Sequence, residues 1–345
     1  MRAIVYTEKG PSSVMRLAER PVPEPGPGQV RVRVVRAGVN PTDWKARVGS
    51  AMTTGFPEVT PGQDGAGIID AVGPGVPDVS GLAFGGRVWL YLTQHGSPYG
   101  TAAEYCVLDW QRAVPLPSEL AGDAAFDLGA CLGVPAMTAH RALTSGPRAE
   151  RLGPGTLTGQ VVLVHGGAGA VGNAAIQLAA WSGATVLTTV SSAEKGALAA
   201  AAGADHIVNY RTQDAAAAIR QLAPDGVDLV AEVSPAVNNE LDLAVAANGA
   251  TIAIYANNGG DTFGIDIRPT FSRNLHYQFL LLYTLEPAHL TAAAEDITAA
   301  LAAGALRAGE EAGLPLHHHP LEATTAAHDA VERGTVGKVL IDVDR

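Results

Sequence analysis

Between residues 160 and 256 the chain repeats one alternation, a short apolar run followed by an alanine-rich stretch with helical spacing. The runs are "QVVLVHG", "ATVLTTV", "HIVNY", "VDLVAEV" and "ATIAIYA", and helices are expected over 171–182, 193–202, 213–222 and 237–246. Runs this short and this continuously apolar read as strands covered on both faces. Strands joined by helices return through right-handed crossovers, which build a parallel sheet. A doubly wound α/β domain is therefore predicted. The run "HYQFLLLYTL", 276–285, is expected to add a sixth strand at an edge, where it can pair with a second copy of the chain.

Gly167-Ala168-Gly169-Ala170-Val171-Gly172 follows the first strand and opens the first helix. This GxGxxG spacing permits a tight turn, lets backbone approach a pyrophosphate, and brings helix and strand close, while the helix N-terminus supplies amide donors. In this βα context it predicts dinucleotide binding. An NAD site would then place an acid at the end of the second strand, against the ribose 2'-hydroxyl. The stretch "TVSSAEKG", 189–196, offers Ser191, Ser192 and Lys195 instead. Two hydroxyls and an ammonium suit a 2'-phosphate, with Tyr210 as a further donor from the next strand end, so NADP(H) is expected over NAD(H). The plainer alternative is that Ser191 caps the following helix and Lys195 is solvated.

Before this domain the chain reads as strands and turns: "MRAIVY", "RVRVVRAG", "AGIIDAVG" and "GRVWLYL", broken by proline- and glycine-rich segments. A small antiparallel barrel or sandwich suits that rhythm, with a domain boundary near residue 130. The 345 residues, 47% hydrophobic, exceed what one core usually absorbs. A formal charge of -11 with no Lys/Arg run argues against nucleic acid, and no apolar run reaches the roughly 18 residues that span a bilayer. A cytoplasmic location is expected. Cys106 and Cys131 lie in apolar contexts and are read as core residues rather than a disulfide or metal pair.

The motifs "AGVNPTDWKARVG", "TPGQDGAGIIDAVGPGV", "GTAAEYCVLD", "LGVPAMTAHRAL", "VLVHGGAGAVGNAAIQLA", "GADHIVNY" and "GTVGKVLIDV" run in order along nearly the whole chain. Together they resemble the zinc-free quinone oxidoreductases of the zeta-crystallin type, in the medium-chain dehydrogenase/reductase superfamily. The resemblance implies a GroES-like β-barrel domain, 1–130 with 286–345, and a Rossmann domain, 131–285, with the active site in the cleft between them. It also implies a homodimer and a small-molecule acceptor.

In the alcohol-dehydrogenase relatives a catalytic zinc is held by two cysteines and a histidine; by motif position these fall at Asn40, Gln63 and Val134, a set that does not suit zinc. The resemblance places Asn40 near nicotinamide and substrate, as a hydrogen-bond donor, and Thr138 near the nicotinamide. Val233 and Tyr255 are further expected cofactor contacts, and Trp44, Tyr91 and Tyr283 are expected to line the substrate pocket. Trp44 and Lys45 stand where relatives often carry a tyrosine contact, and the 143–159 loop looks longer than usual. The triplet His317-His318-His319 reads as a solvated loop, because adjacent side chains of an extended segment point apart. His140 reads as a satisfied buried histidine.

Without a Lewis acid the expected acceptor is one that takes hydride readily. The expectation is an NADPH-dependent, zinc-independent reductase acting on a quinone. The alternatives are an enone or enoyl reductase of the same superfamily and a non-catalytic, NADPH-retaining crystallin-like protein.

Overall fold

The computed structural model describes residues 1–49, 55–147 and 150–344. Its strands, in chain order, are β1 (Arg2–Val5), β2 (Arg16–Glu19), β3 (Gln29–Val39), β4 (Asp64–Val72), β5 (Arg87–Leu90), β6 (Tyr105–Asp109), β7 (Ala113–Pro115), β8 (Val161–His165), β9 (Thr185–Val190), β10 (His206–Asn209), β11 (Val227–Glu232), β12 (Ala246–Ile254), β13 (His276–Phe279), β14 (Leu316–Pro320) and β15 (Lys338–Asp342). The helices are α1 (Pro41–Val48), α2 (Gly122–Gly129), α3 (Met137–Leu143), α4 (Ala170–Trp181), α5 (Ala193–Ala201), α6 (Ala215–Leu222), α7 (Pro235–Val245), α8 (Ile267–Phe271), α9 (Pro287–Ala302) and α10 (Thr324–Glu332). The chain divides into two compact units, Met1–Val134 with Leu316–Arg345, and Pro135–Pro315.

In the second unit the sheet order is β10-β9-β8-β11-β12-β13, and every neighbouring pair is parallel. The strands read as uninterrupted apolar runs because helices cover both faces, and Leu163, Leu187, Val230 and Ile252 have no exposed surface. Strand order reverses between β8 and β11, which opens a crevice at their carboxyl ends, where doubly wound sheets take ligands.

Two boundaries differ from the sequence expectation. β13 stops at Phe279, and Leu282–Thr284 forms a 3-10 turn. Its partner β12 ends at Ile254, whose carbonyl accepts the Leu280 N–H, so the chain leaves the sheet and turns Leu282 and Tyr283 inward. The return to the first unit falls at Leu316 rather than at 286. α9 buries Ala293, Ile297, Ala300 and Leu301 in the second unit, and the segment after it is tied to α4: Asn173 Nδ2 donates to Ala312 O at 2.8 Å and Arg307 N to Gln177 Oε1 at 3.0 Å.

The first unit is built on β3, whose eleven residues serve three partners. One edge pairs antiparallel with β4; the other pairs with β6 over Gln29–Arg33 and with β15 over Arg36–Val39. Two register shifts against β4 bend the strand, as bulges do. Val30, Val32, Ile69, Leu90, Cys106 and Ile341 fill the core. Cys106 and Cys131 are free and buried, and burial pushes both thiols up to about 12. The histidine triplet is an edge strand, β14, rather than a loop: it pairs in parallel with β15, and His318 Nδ1 contacts Asp342 Oδ1 at 2.8 Å.

The 143–159 segment, of which 148 and 149 lie outside the described residues, is stapled to α9. Asp296 accepts from Leu152 N at 2.7 Å and from Arg151 Nε and Nη2 at 2.9 and 2.6 Å, and contacts His140 Nε2 at 2.8 Å. His140 is thus a partnered buried histidine. Burial raises the Asp296 carboxyl, but His140, Arg151 and the Leu152 amide outweigh it and hold the group down to about 2. A depressed carboxyl contributes stability above its unfolded pKa and loses it as pH falls through the folded value. Asp296→Asn should therefore cost about 2 kcal/mol near neutral pH, with the difference from wild type vanishing between pH ~4 and ~2. Thermal unfolding across that range checks this; an unchanged midpoint at pH 7 would refute the staple.

Candidate functional site

β8 ends at His165, and the chain turns through Gly166, which has a φ of +70°. The turn is closed by Gly169 N donating to Gly166 O at 2.9 Å. A Cβ on Gly167 would overlap Thr188 Oγ1 and lie 2.8 Å from Ile176 Cδ1, and one on Gly172 would overlap Gly166 O and lie 2.9 Å from Gly167 Cα. Packing within the chain thus forbids side chains at both positions. At Gly169 a Cβ would meet nothing closer than Gly166 O at 3.4 Å, which is ordinary contact. No internal contact excludes a side chain there, and the space it leaves lies at the N-terminus of α4. That helix has no side-chain cap, so the first-turn amides of Ala170, Val171 and Gly172 lack intrahelical acceptors and point at the same space. The cradle fits a pyrophosphate.

At the carboxyl end of β9, Lys195 Nζ donates to Ser191 Oγ at 3.1 Å. Ser192, not Ser191, caps α5: its Oγ accepts from Lys195 N at 3.3 Å. Tyr210 follows β10 and its amide donates to Val190 O, which ties its backbone to the end of β9; its side chain is 51% exposed. Glu194, which the sequence reading passed over, is fully exposed in the first turn, with its carboxyl held below the ordinary range by the Ser192 hydroxyl. It is the one negative charge on this short stretch. Val233 follows β11, 3.5 Å from where a Gly166 Cβ would lie. Tyr255 follows β12 and its amide donates to Glu232 O at 3.1 Å. Both therefore sit at the crevice end of the sheet. Thr138 is buried on α3, and Tyr283 is buried after β13.

The crevice also holds three residues the sequence reading missed. His165 Nε2 contacts Asp242 Oδ1 at 2.8 Å and Glu232 Oε2 at 3.5 Å, while Nδ1 contacts Thr189 Oγ1 at 2.7 Å. A histidine and a glutamate ending otherwise apolar strands were the available signal. Among the described residues these three form the group whose ligand atoms lie close enough to share a metal ion. The 2.8 Å separation is that of a hydrogen bond, and burial of all three leaves no entry path, so a proton is the better occupant.

In the first unit Asn40 caps α1 and is 2% exposed. Its Nδ2 donates to Asp64 Oδ2 at 2.7 Å, and its Oδ1 accepts from Lys338 Nζ at 2.7 Å. Lys338 also pairs with Asp64 Oδ2 at 3.0 Å, and Asp64 Oδ1 accepts the Val134 amide at 2.7 Å. Side chains on Gly38 and Gly133 would collide with this cluster. Asp43 accepts the Asn40 amide at 2.7 Å, and burial and the charge of Asp64 push its carboxyl up to about 7. Trp44 is half-buried on α1, with the Lys45 ammonium 5.9 Å from its ring centre. Tyr91 is buried, and its hydroxyl donates to Gln111 O at 2.9 Å, which ties it to the unit's own packing.

Residues 26–118 match the alcohol dehydrogenase GroES-like domain, and residues 170–299 match the zinc-binding dehydrogenase domain. The chain is 32% identical to the quinone oxidoreductase of Rattus norvegicus, covering 99% of this chain and 97% of the relative. Among solved structures, an NAD-dependent alcohol dehydrogenase aligns with a TM-score of 0.84 at 30% identity over the whole of both chains. A mycobacterial protein complexed with NADPH aligns with a TM-score of 0.80 at 28% identity over 99% of each. The barrel and Rossmann units together define a medium-chain dehydrogenase/reductase. Within that superfamily the chain belongs to the quinone oxidoreductase family.

The zinc of the matched domain's name finds no fitting donor set at Asn40, Gln63 and Val134. Val134 offers only backbone, Gln63 Nε2 is bonded to Gln94 Oε1 at 3.0 Å, and the Lys338 ammonium is already bound to Asn40. Lys338→Met would leave Asp64 buried and uncompensated and should cost about 3 kcal/mol. Adding Asp64→Asn should recover part of that loss in the unfolding transition. Equal stability of Lys338→Met and wild type would show that the pair carries no net charge compensation.

Proposed function

We propose that the protein is an NADPH-dependent, zinc-independent reductase that delivers hydride to a quinone or a similarly activated carbonyl acceptor. The observation that carries this reading is the glycine cradle of α4 set beside the Ser191–Lys195 pair at the end of β9. When bound, the cofactor supplies the hydride from its nicotinamide ring. The chain's own groups bind and orient it: the amides of Ala170, Val171 and Gly172 take the pyrophosphate, and Ser191, Ser192, Lys195 and Tyr210 take the 2'-phosphate. Val233, Tyr255 and Thr138 line the nicotinamide side. Asn40, held by Lys338 and Asp64, keeps one Nδ2 hydrogen for a developing oxyanion. Trp44 and Tyr283 border the acceptor, whereas the hydroxyl of Tyr91 is already spent on Gln111.

The acceptor class is tested with NADPH and a panel of quinones, enones and simple aldehydes. Quinone turnover that survives chelators is expected. Preferential reduction of the enones would move the protein to the alternative of C=C reduction, and failure to consume NADPH with any acceptor would leave a cofactor-retaining binding protein. For the cofactor, Lys195→Ala should weaken NADPH about tenfold with NADH unchanged, the worth of one charge-assisted hydrogen bond. Glu194→Gln should strengthen NADPH instead. Titration of each variant with both cofactors decides it; unchanged NADPH preference in Lys195→Ala would reduce the cluster to a helix start.

The same reading includes a homodimer. Among the described residues β13 ends its sheet with one edge unpaired, and Ile267, Phe271, Phe279 and Leu281 are exposed. Light scattering should give a dimer, and Phe279→Arg should shift it to monomer. No described helix is long and apolar enough to cross a membrane, and a cytoplasmic location is proposed on the same footing.

A further inference from the structure

Three ionisable side chains at the strand reversal take no part in the reading above. His165 closes β8, Glu232 closes β11, Asp242 lies on α7, and none is more than 2% exposed. Two carboxylates and an imidazolium would leave a net negative charge in a site of low dielectric. Hydrogen bonding is also incomplete. Glu232 Oε1 accepts the Ser234 amide and Asn238 Nδ2, but among the described residues Glu232 Oε2, 3.5 Å from His165 Nε2, and Asp242 Oδ2 have no hydrogen-bond partner. One proton held between the two carboxyls neutralises the cluster and gives the free oxygens a bond to share.

The position of the cluster gives that proton a consequence. The residue after His165 is Gly166, which starts the glycine turn, and the residue after Glu232 is Val233, packed against Gly166. Ser234, whose amide is held by Glu232, caps α7 and donates its hydroxyl to Asn258 O at 2.6 Å. The three side chains therefore join the ends of β8, β9, β11 and α7 immediately beneath the two turns that face the crevice.

We propose that His165, Glu232 and Asp242 are positioning residues that share one proton, and that this proton is coupled to dinucleotide binding at the turns they hold. The proposal rests on the dinucleotide reading of the glycine turn. Losing the proton places an extra negative charge under a site that must take an anionic pyrophosphate, so the protonated cluster binds more tightly. Burial and Asp242 push the Glu232 carboxyl up to about 7, with His165 opposing. Burial disfavours the His165 imidazolium, but Asp242 outweighs it and the group is raised. The other groups facing the cluster do not titrate near neutrality. Thr189 comes from β9 and Asn238 and Asn239 from α7; Tyr255 beyond β12 is raised by burial and by Glu232, and Tyr277 on β13 is pushed up to about 12.

The test is dinucleotide affinity by fluorescence from pH 6 to 9, on wild type, Glu232→Gln and Asp242→Asn. NADH is run beside NADPH, because it lacks the 2'-phosphate and so removes that group's own titration. Infrared spectra of the cofactor-free protein follow the protonated-carboxyl band over the same range. In wild type the band should disappear as pH rises, and both dinucleotides should weaken about tenfold, a usual size for coupling between sites. Glu232→Gln keeps the shape and hydrogen bonds of the protonated acid. It should lose the share of the band that Glu232 contributes, leaving that of Asp43, and bind with a flat profile near the wild-type value at pH 6, and Asp242→Asn should also be flat. A flat wild-type profile, or a wild-type slope kept in Glu232→Gln, overturns the proton coupling while leaving the cofactor reading intact. Failure of wild type to bind either dinucleotide at any pH overturns that reading and the coupling with it.

Discussion

The close approach of α4 to β8 and β9 governs most of the second unit. Gly167 sits against the Thr188 and Ile176 side chains and Gly172 against the Gly166 backbone, and a single methyl at either site would overlap them. With that spacing kept, eight residues of α4 are buried, its first turn is aimed at the strand reversal, and Asn173 and Gln177 reach the 307–312 segment on its far side. Helix–strand distance, the direction of the free amides and the membership of residues 303–315 in this unit follow from the same two missing side chains. Gly169 is different, since nothing in the chain excludes a side chain there. Two glycines of the motif answer to packing and one to whatever occupies the crevice.

Each unit buries carboxylates, and each neutralises them differently. Asp64 has a lysine on β15, so its compensation is a fixed cation with Asn40 and the Val134 amide completing the hydrogen bonds. Glu232 and Asp242 have a histidine between them and, among the described residues, no ion pair with lysine or arginine. The lysine supplies a cation directly, whereas the histidine and two acids are balanced, in the proposal above, by one shared proton. The first arrangement braces Asn40, and the second is the one for which the shared proton is proposed.

Much of the fold was legible because its signals are local. Strand–helix alternation, the glycine spacing and the closing "GKVLIDV" strand each arise within a dozen residues. The α9 boundary was not legible: whether 287–302 packs on the barrel or on α3 depends on tertiary partners such as His140 and Asp296, 156 positions apart. The end of β13 was hidden for the same reason, being set by where β12 stops. At the candidate site, a serine cap for α5 was legible because capping is short-range, but the cap is Ser192 rather than Ser191. His165, Glu232 and Asp242 were missed because each looks like an isolated polar residue in an apolar element, and their meeting requires the strand order. The histidine triplet misled in the opposite direction: its side chains do alternate, but a strand partner in β15 keeps the segment extended and ordered.

The Lys338 ammonium also bears on the proposed chemistry. An ammonium neutralises charge, but it is a point donor without open coordination sites, and two of its three hydrogens are committed to Asn40 and Asp64. A zinc ion lowers the barrier to reducing an unactivated carbonyl by polarising the oxygen directly. Here the available help is indirect: Lys338 draws on Asn40 Oδ1, which strengthens the remaining Nδ2 hydrogen as a donor. One strengthened neutral hydrogen bond stabilises an oxyanion by a few kcal/mol at most. That suffices for an acceptor whose reduced form spreads its charge over a conjugated system, and it falls short for a simple aldehyde or ketone. In the proposed role of Asn40 as oxyanion donor, the cluster therefore goes with acceptors of intrinsic electron demand rather than with simple carbonyls.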